Sequence, residues 1–147
     1  MTADSLDNDA ALAQLNKILE LELAGVIRYT HYSFMVRGFG RIPIVSWLRS
    51  QADESMLHAH EAGELITQLG GLPSLGIGSL LTNHTYDTGK ILEESLQHEA
   101  DALQAYVDLL ELVEGKSVML EEYASRLIAD ETRHAGDVQK MLLPPND

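Results

Sequence analysis

LEEYASRLIADETRHAGDVQKM, residues 120–141, is the stretch on which the reading of this chain turns. Leu120, Ala124, Leu127, Val138 and Met141 recur at steps that keep to one face of a helix, and the two positions left in the middle of that face are Glu131 and His134. A glutamate and a histidine three residues apart stand side by side on a helix, here in the centre of an otherwise apolar stripe. One Glu-x-x-His pair is common by chance. Its weight depends on whether the rest of the chain repeats the oddity.

The rest does. A first helix, about Asn8 to Val36, carries the stripe Leu12, Leu15, Ile18 or Leu19, Glu22, Val26, Tyr29 and Ser33. A second, about Pro43 to Leu69, has Trp47, Gln51, Glu54, His58, Ala62 and Leu65 along its inner face, with Glu54 and His58 one turn apart. A third, about Lys90 to Val113, shows Leu92, Leu96, Leu103, Tyr106, Leu110 and Val113 interrupted by Glu99, and the fourth runs about Val118 to Met141. Each helix thus sets one carboxylate near its middle on its buried stripe, and two add a histidine. Tyr29 follows Glu22, and Tyr106 follows Glu99, at the same seven-residue spacing, a hint of an internal repeat.

The breaks between helices are clear. Gly38-Phe39-Gly40-Arg41-Ile42-Pro43 ends the first, Gly70-Gly71-Leu72-Pro73 the second, Glu114-Gly115-Lys116-Ser117 the third, and Pro144-Pro145 follows the fourth. The stretch from Gly71 to about Thr88, with Gly76, Gly78, Asn83 and Asp87, is the one long connection. Short turns make the first and second helices antiparallel, and likewise the third and fourth. The fold expected is all-α, a four-helix bundle with a long crossover between helices two and three.

Composition narrows the chemistry. The 147 residues suffice for one domain, taken as 1–147, and 45% hydrophobic with 5% aromatic content suits packed helices. No cysteine is present, which excludes disulfides, iron–sulfur clusters and thiol nucleophiles and leaves carboxylate, imidazole or water to hold a metal. A net charge of −13 argues against a nucleic-acid partner and favours attraction of cations. Met1 to Ala10 has the character of neither signal nor transit peptide, and no segment has the apolar length of a membrane span, so a cytoplasmic location is expected.

Four carboxylates in an apolar interior repel one another, and unpaired buried charge costs several kcal/mol. Most of the 10 Lys and Arg project to outer faces or loops, whereas two divalent cations would neutralise Glu22, Glu54, Glu99 and Glu131. Oxygen-rich sites with two imidazoles, His58 and His134, suit iron or manganese. Tyr29 and Tyr106 are candidates to hydrogen-bond the carboxylates or transfer an electron, with core packing an equal alternative. His31, His60 and His84 fall off the inner stripes, as surface residues or weak ligands on the way in. The alternative from another class is a dimeric helical bundle whose Glu and His residues form buried salt bridges.

The chain resembles the ferritin-like superfamily, and within it bacterioferritin, in Leu21-Glu22-Leu23-Ala24 with Tyr29, Met56-Leu57-His58-Ala59, Leu69-Gly70-Gly71-Leu72-Pro73 and Asp130-Glu131-Thr132-Arg133-His134. The resemblance implies a ferroxidase that oxidises Fe(II) with dioxygen or peroxide at a di-iron centre of two irons per subunit, for iron storage or detoxification. Glu22, His58, Glu99, Glu131 and His134 fit its ligand pattern directly. The family has a glutamate three residues before the helix-two histidine, where this chain has Ser55, so Glu54 stands in for it, with Glu61 the other candidate. Met56 occupies the place from which bacterioferritin binds haem b between two subunits; packing at a dimer contact is the alternative. A homo-oligomer is expected. The six residues after Met141 leave no room for the short fifth helix of the 24-subunit cage. A di-metal peroxidase or oxygenase acting on another substrate is the remaining alternative, and the lack of a rubredoxin-like cysteine domain counts against a rubrerythrin-type peroxidase.

Overall fold

The computed structural model describes residues 5–80 and 84–145, so Asn83 and the first four residues of the N-terminal stretch read above lie outside it. Four helices follow in order, α1 (Asn8–Met35), α2 (Arg41–Gln68), α3 (Thr88–Val113) and α4 (Val118–Leu142), with no strand among the described residues. This is the all-α four-helix bundle that the periodicity predicts.

Three of the helix starts are fixed by side chains. Asp7 accepts from Ala10 N at 3.0 Å, Asp87 from Lys90 N at 3.1 Å and Ser117 from Leu120 N at 3.3 Å, each satisfying a backbone N–H that the first turn leaves without a partner. The end of α2 is a Schellman turn: Gly70 N donates to Thr67 O and Gly71 N to Ile66 O, which requires the left-handed φ of +84° that Gly70 supplies.

The helices run antiparallel across every contact. Asn8 Nδ2 donates to Leu69 O, tying the start of α1 to the end of α2; Gln14 Nε2 donates to Ala105 O across to α3; and Gln68 meets Met119 across to α4. The long crossover lies along α1. Ser74 N donates to Asn16 Oδ1 at 2.7 Å, Gly78 N to Glu20 O at 2.9 Å, and the Arg28 guanidinium to Ser79 O at 2.7 Å. Backbone groups of a segment without its own ladder thereby find partners on the helix.

The core is split in two. Leu15, Ile18, Ile66, Tyr106, Leu109, Leu120 and Leu127 fill one end of the bundle, while Tyr29, Tyr32, Val36, Val45, Leu48 and Ile91 fill the other. Between them lies a belt of buried polar groups, Glu22, His58, Glu99 and Glu131 among them. Two apolar layers thus enclose a charged one along the bundle axis.

Candidate metal centre

Each helix delivers its residues from mid-length. Glu22 comes from α1, Glu54 and His58 from α2, Glu99 from α3, and Glu131 and His134 from α4, so all six expected residues meet in one enclosed space. His58 Nδ1 lies 3.3 Å from Glu22 Oε2 and 3.5 Å from Glu131 Oε1. Opposite it, His134 Nδ1 lies 3.8 Å from Glu99 Oε2 and 3.7 Å from Glu131 Oε2. The ligand-bearing atoms therefore form two triads, Glu22 with His58 and Glu131, and Glu99 with Glu131 and His134, which share Glu131.

Glu54 sits at the edge rather than on the buried stripe, its side chain 35% exposed, and faces the other nitrogens: His134 Nε2 at 3.0 Å and His58 Nε2 at 3.8 Å. It spans the two histidines from the solvent side. Glu61 goes elsewhere, paired with Arg126 Nη2 at 2.7 Å on the outer surface. Asp130, which sequence reading passed over, joins Glu54 and His58 in a third cluster at the mouth. Its place beside Glu131 on α4 was the signal available.

The tyrosines cross over. Tyr29 of α1 donates to Glu99 of α3, and Tyr106 of α3 donates to Glu22 Oε1 of α1 at 3.3 Å. The equal seven-residue spacings on two antiparallel helices make this exchange possible. Each phenol orients the carboxylate of the other hairpin. Burial first, then the nearby Glu99 carboxylate, holds Tyr29 well above the ordinary phenol range, and burial with Glu22 does the same for Tyr106. Both remain neutral donors.

The electrostatics are those of a site short of positive charge. Burial raises the Glu22 carboxyl, against the pull of His58, and its Oε2, fully buried, has no donor aligned on it. Burial and then the neighbouring Glu131 push Glu99 up to about 7. Glu131 goes the other way: burial opposes its charge, but Glu99, His134 and His58 together draw it below the ordinary range. Burial alone would neutralise His58, yet Glu131 and Glu22 reverse this and raise it to about 10; Glu131 and Glu99 do the same for His134, to about 11. Without metal the two imidazoles are therefore cations. Four carboxylates against two imidazolium ions leave two negative charges in excess, and a proton on Glu99 halves that. Two divalent cations with neutral histidines would balance the four carboxylates fully, and the donor set of oxygen with imidazole nitrogen suits iron or manganese. The residues present fit a pair of such ions.

His98 is the buried histidine that sequence reading missed. It lines the same space with Gln51 and Ser55, and its ring packs edge-on against Tyr29 with centroids 5.8 Å apart. Burial drives it below the ordinary histidine value. The other three histidines stay outside, as the stripes imply: His60 is exposed, and His31 Nε2 faces His84 Nδ1 at 3.1 Å between α1 and the crossover.

Among solved structures, a crystal structure of a ferritin-like, diiron-carboxylate protein from Bacillus anthracis str. Ames is similar over 95% of this chain and 100% of its own, with 26% identity and a TM-score of 0.87. A dodecameric thioferritin from Bacteroides fragilis, described as bacterioferritin-related, is similar over 94% of this chain and 87% of its own, with 23% identity and a TM-score of 0.88, a likeness of fold. No curated protein sequence matches the chain. No helix among the described residues is long and apolar enough to cross a membrane. The Ferritin family, described as the ferritin-like domain, matches residues 12–143, and the chain belongs to it.

Proposed function

We propose that this chain is a ferroxidase that takes two Fe(II) ions as substrate at the bundle centre and oxidises them with dioxygen or peroxide, for iron storage or detoxification. The observation that carries the reading is the pair of triads sharing Glu131. On this reading Glu22 with His58 would hold one ion and Glu99 with His134 the other, with Glu131 common to both, and Glu54, which faces both histidines from the solvent side, would be the second shared carboxylate. Each ferrous ion gives up one electron, and the oxidant takes both with two protons to leave as hydrogen peroxide or water.

The chain's own groups prepare this. In the metal-free protein the protons on His58 and His134 hold the carboxylates in register, standing where cations belong. Loading exchanges those protons for metal, because an imidazolium cannot ligate. Tyr29 and Tyr106 fix the rotation of Glu99 and Glu22 through their hydrogen bonds. The anionic carboxylates favour Fe(III) over Fe(II), which assists oxidation. Anaerobic titration should find about two Fe(II) per chain, and stopped-flow mixing with dioxygen should show their rapid oxidation. Binding of two ions without oxidation would favour the di-metal peroxidase or oxygenase acting on another substrate. Absence of binding would leave the salt-bridged bundle.

The proposal extends to assembly in a reducing, cytoplasmic setting, with residues 1–147 as one domain. A dodecameric relative of the same fold supports a homo-oligomer. Met56 stands on the outer face of α2, 36% exposed and followed by Leu57 at 62%, so its thioether is available to haem b between two copies. Protein supplied with haem should then show a bis-methionine spectrum that Met56→Leu abolishes; an unchanged spectrum would leave Met56 as packing.

A further inference from the structure

Among the described residues, His98 alone borders both the metal centre and a separate outward pocket of about 250 Å³ between α1, α3 and the crossover. Glu94, His98 and Asp101 line that pocket from a single face of α3, at spacings of four and three residues. Opposite them the Arg28 guanidinium is engaged by the Ser79 and Leu80 carbonyls. Glu94 accepts from Tyr32 Oη at 3.1 Å and Asp101 from Gln97 Nε2 at 2.9 Å, so one oxygen of each carboxylate is held by a neutral donor and the other, with the imidazole, can meet a cation. These atoms are spread along the face rather than gathered round one point, the arrangement of a passage rather than a resting place.

The imidazole fills the partition because its neighbours are small. A Cβ on Gly25 would stand 2.8 Å from His98 Nε2 and 2.9 Å from Ser55 Oγ, so the ring's inner edge rests in a seat that only glycine leaves open on α1. Ser55 stands where a longer carboxylate side chain would compete for that space. The ring is 5% exposed, so the partition is closed in this conformation.

We infer that this pocket is a second approach to the metal centre, taken by divalent cations, and that the His98 imidazole is the door between the two. The first approach is the mouth at Glu54 and Asp130 on the α2 and α4 side. Carboxylates at the outer end of the pocket gather the hydrated ion, and a nitrogen ligand at its inner end passes it to the buried carboxylates. The inference rests on the two-metal reading of the centre.

Co(II) is a suitable probe, since its visible d–d absorption reports arrival at the centre without turnover. Metal-free full-length protein is mixed with Co(II) in a stopped-flow instrument at low salt, and the bound metal is counted at the end. His98→Phe, wider and without a nitrogen, should slow loading several-fold, while His98→Ala should speed it several-fold. Asp101→Lys at the pocket rim should slow it roughly tenfold, the lower range for loss of electrostatic steering. Glu111→Lys, the same charge reversal far along α3, should slow it much less. All four should still end with two Co(II) per chain, which separates a route from a ligand. Wild-type rates in both His98 variants, or equal slowing by the two lysine variants, would overturn the inference and route all metal past Glu54 and Asp130. Should a His98 variant not fold, the two lysine variants at exposed positions decide the matter. An unmodified chain that takes up no Co(II) would instead overturn the metal-centre reading, and this inference with it.

Discussion

Glu131 faces both histidines and Glu99 faces one, and the two carboxyls respond to the same burial in opposite directions. Glu131 is the stabilised anion that holds two imidazolium ions, so Glu131→Ala should lower the metal-free stability by roughly 3–5 kcal/mol, as removal of one partner from a buried pair does. Glu99 is the strained one, and Glu99→Gln should leave the metal-free Tm unchanged or raise it. Both should abolish rapid iron oxidation. Calorimetry on the two variants would contradict this charge assignment if the order of their Tm values were reversed. Gly25→Ala should cost roughly 1–3 kcal/mol in chemical denaturation through overpacking against His98 and Ser55. The choice between Glu54 and Glu61 was closed to sequence reading because each lies about one turn from His58, and the Arg126 that engages Glu61 comes from another helix. His98 was missed for a physical reason. Helices that approach closely bury Ser95, Ala102 and Ala105, while the larger Leu96 and Leu103, on which the seam was drawn, lie only half-buried at its margins.

At the scale of the helices, periodicity located all four, because each alternates a buried stripe with solvated positions over more than six turns. The ends moved by small steps. The α2 helix begins at Arg41, ahead of Pro43, since a proline anywhere in the first turn gives up no intrahelical bond, and α3 begins at Thr88 because Asp87 caps it. The crossover's path was not legible, because Asn16, Glu20 and Arg28 hold it through bonds to backbone groups more than fifty residues away. Gly70→Ala should destabilise the protein by roughly 1–2 kcal/mol, the cost of a side chain at left-handed φ. Asp87→Ala should cost about 1 kcal/mol through loss of the α3 cap. Urea midpoints with unchanged slopes would check both.

For the whole molecule the raised histidines set a direction with pH. His58 and His134 bind their protons more tightly folded than unfolded, so in the metal-free protein their contribution is complete below about 6.5 and is lost as pH rises through about 10 and about 11. Glu99, raised to about 7, acts in the same sense at lower pH. The metal-free Tm should therefore fall between pH 7 and 10, and a rising Tm over that interval would contradict the assignment. Loading at pH 7 in weak buffer should release protons from both imidazoles, which a pH electrode or dye reads directly. Metal at a hundredfold excess over Kd should stabilise the fold by about 2.7 kcal/mol, so removing it with a chelator should lower Tm. Light scattering at micromolar concentration should find an assembly of at least two chains, and a monomer would refute that part of the proposal.

The exchanged tyrosines have a consequence for how the site comes into being. Neither the α1–α2 hairpin nor the α3–α4 hairpin owns a complete half of the centre, since Glu131 of one meets His58 of the other and each phenol serves the opposite side. A slip of one hairpin along the other by a single helical turn, about 5.4 Å, would unmake every one of these pairings together. Metal affinity in this chain is thus a gauge of hairpin register, and iron taken up during folding would act as a proofreader, rewarding the one alignment in which both halves agree.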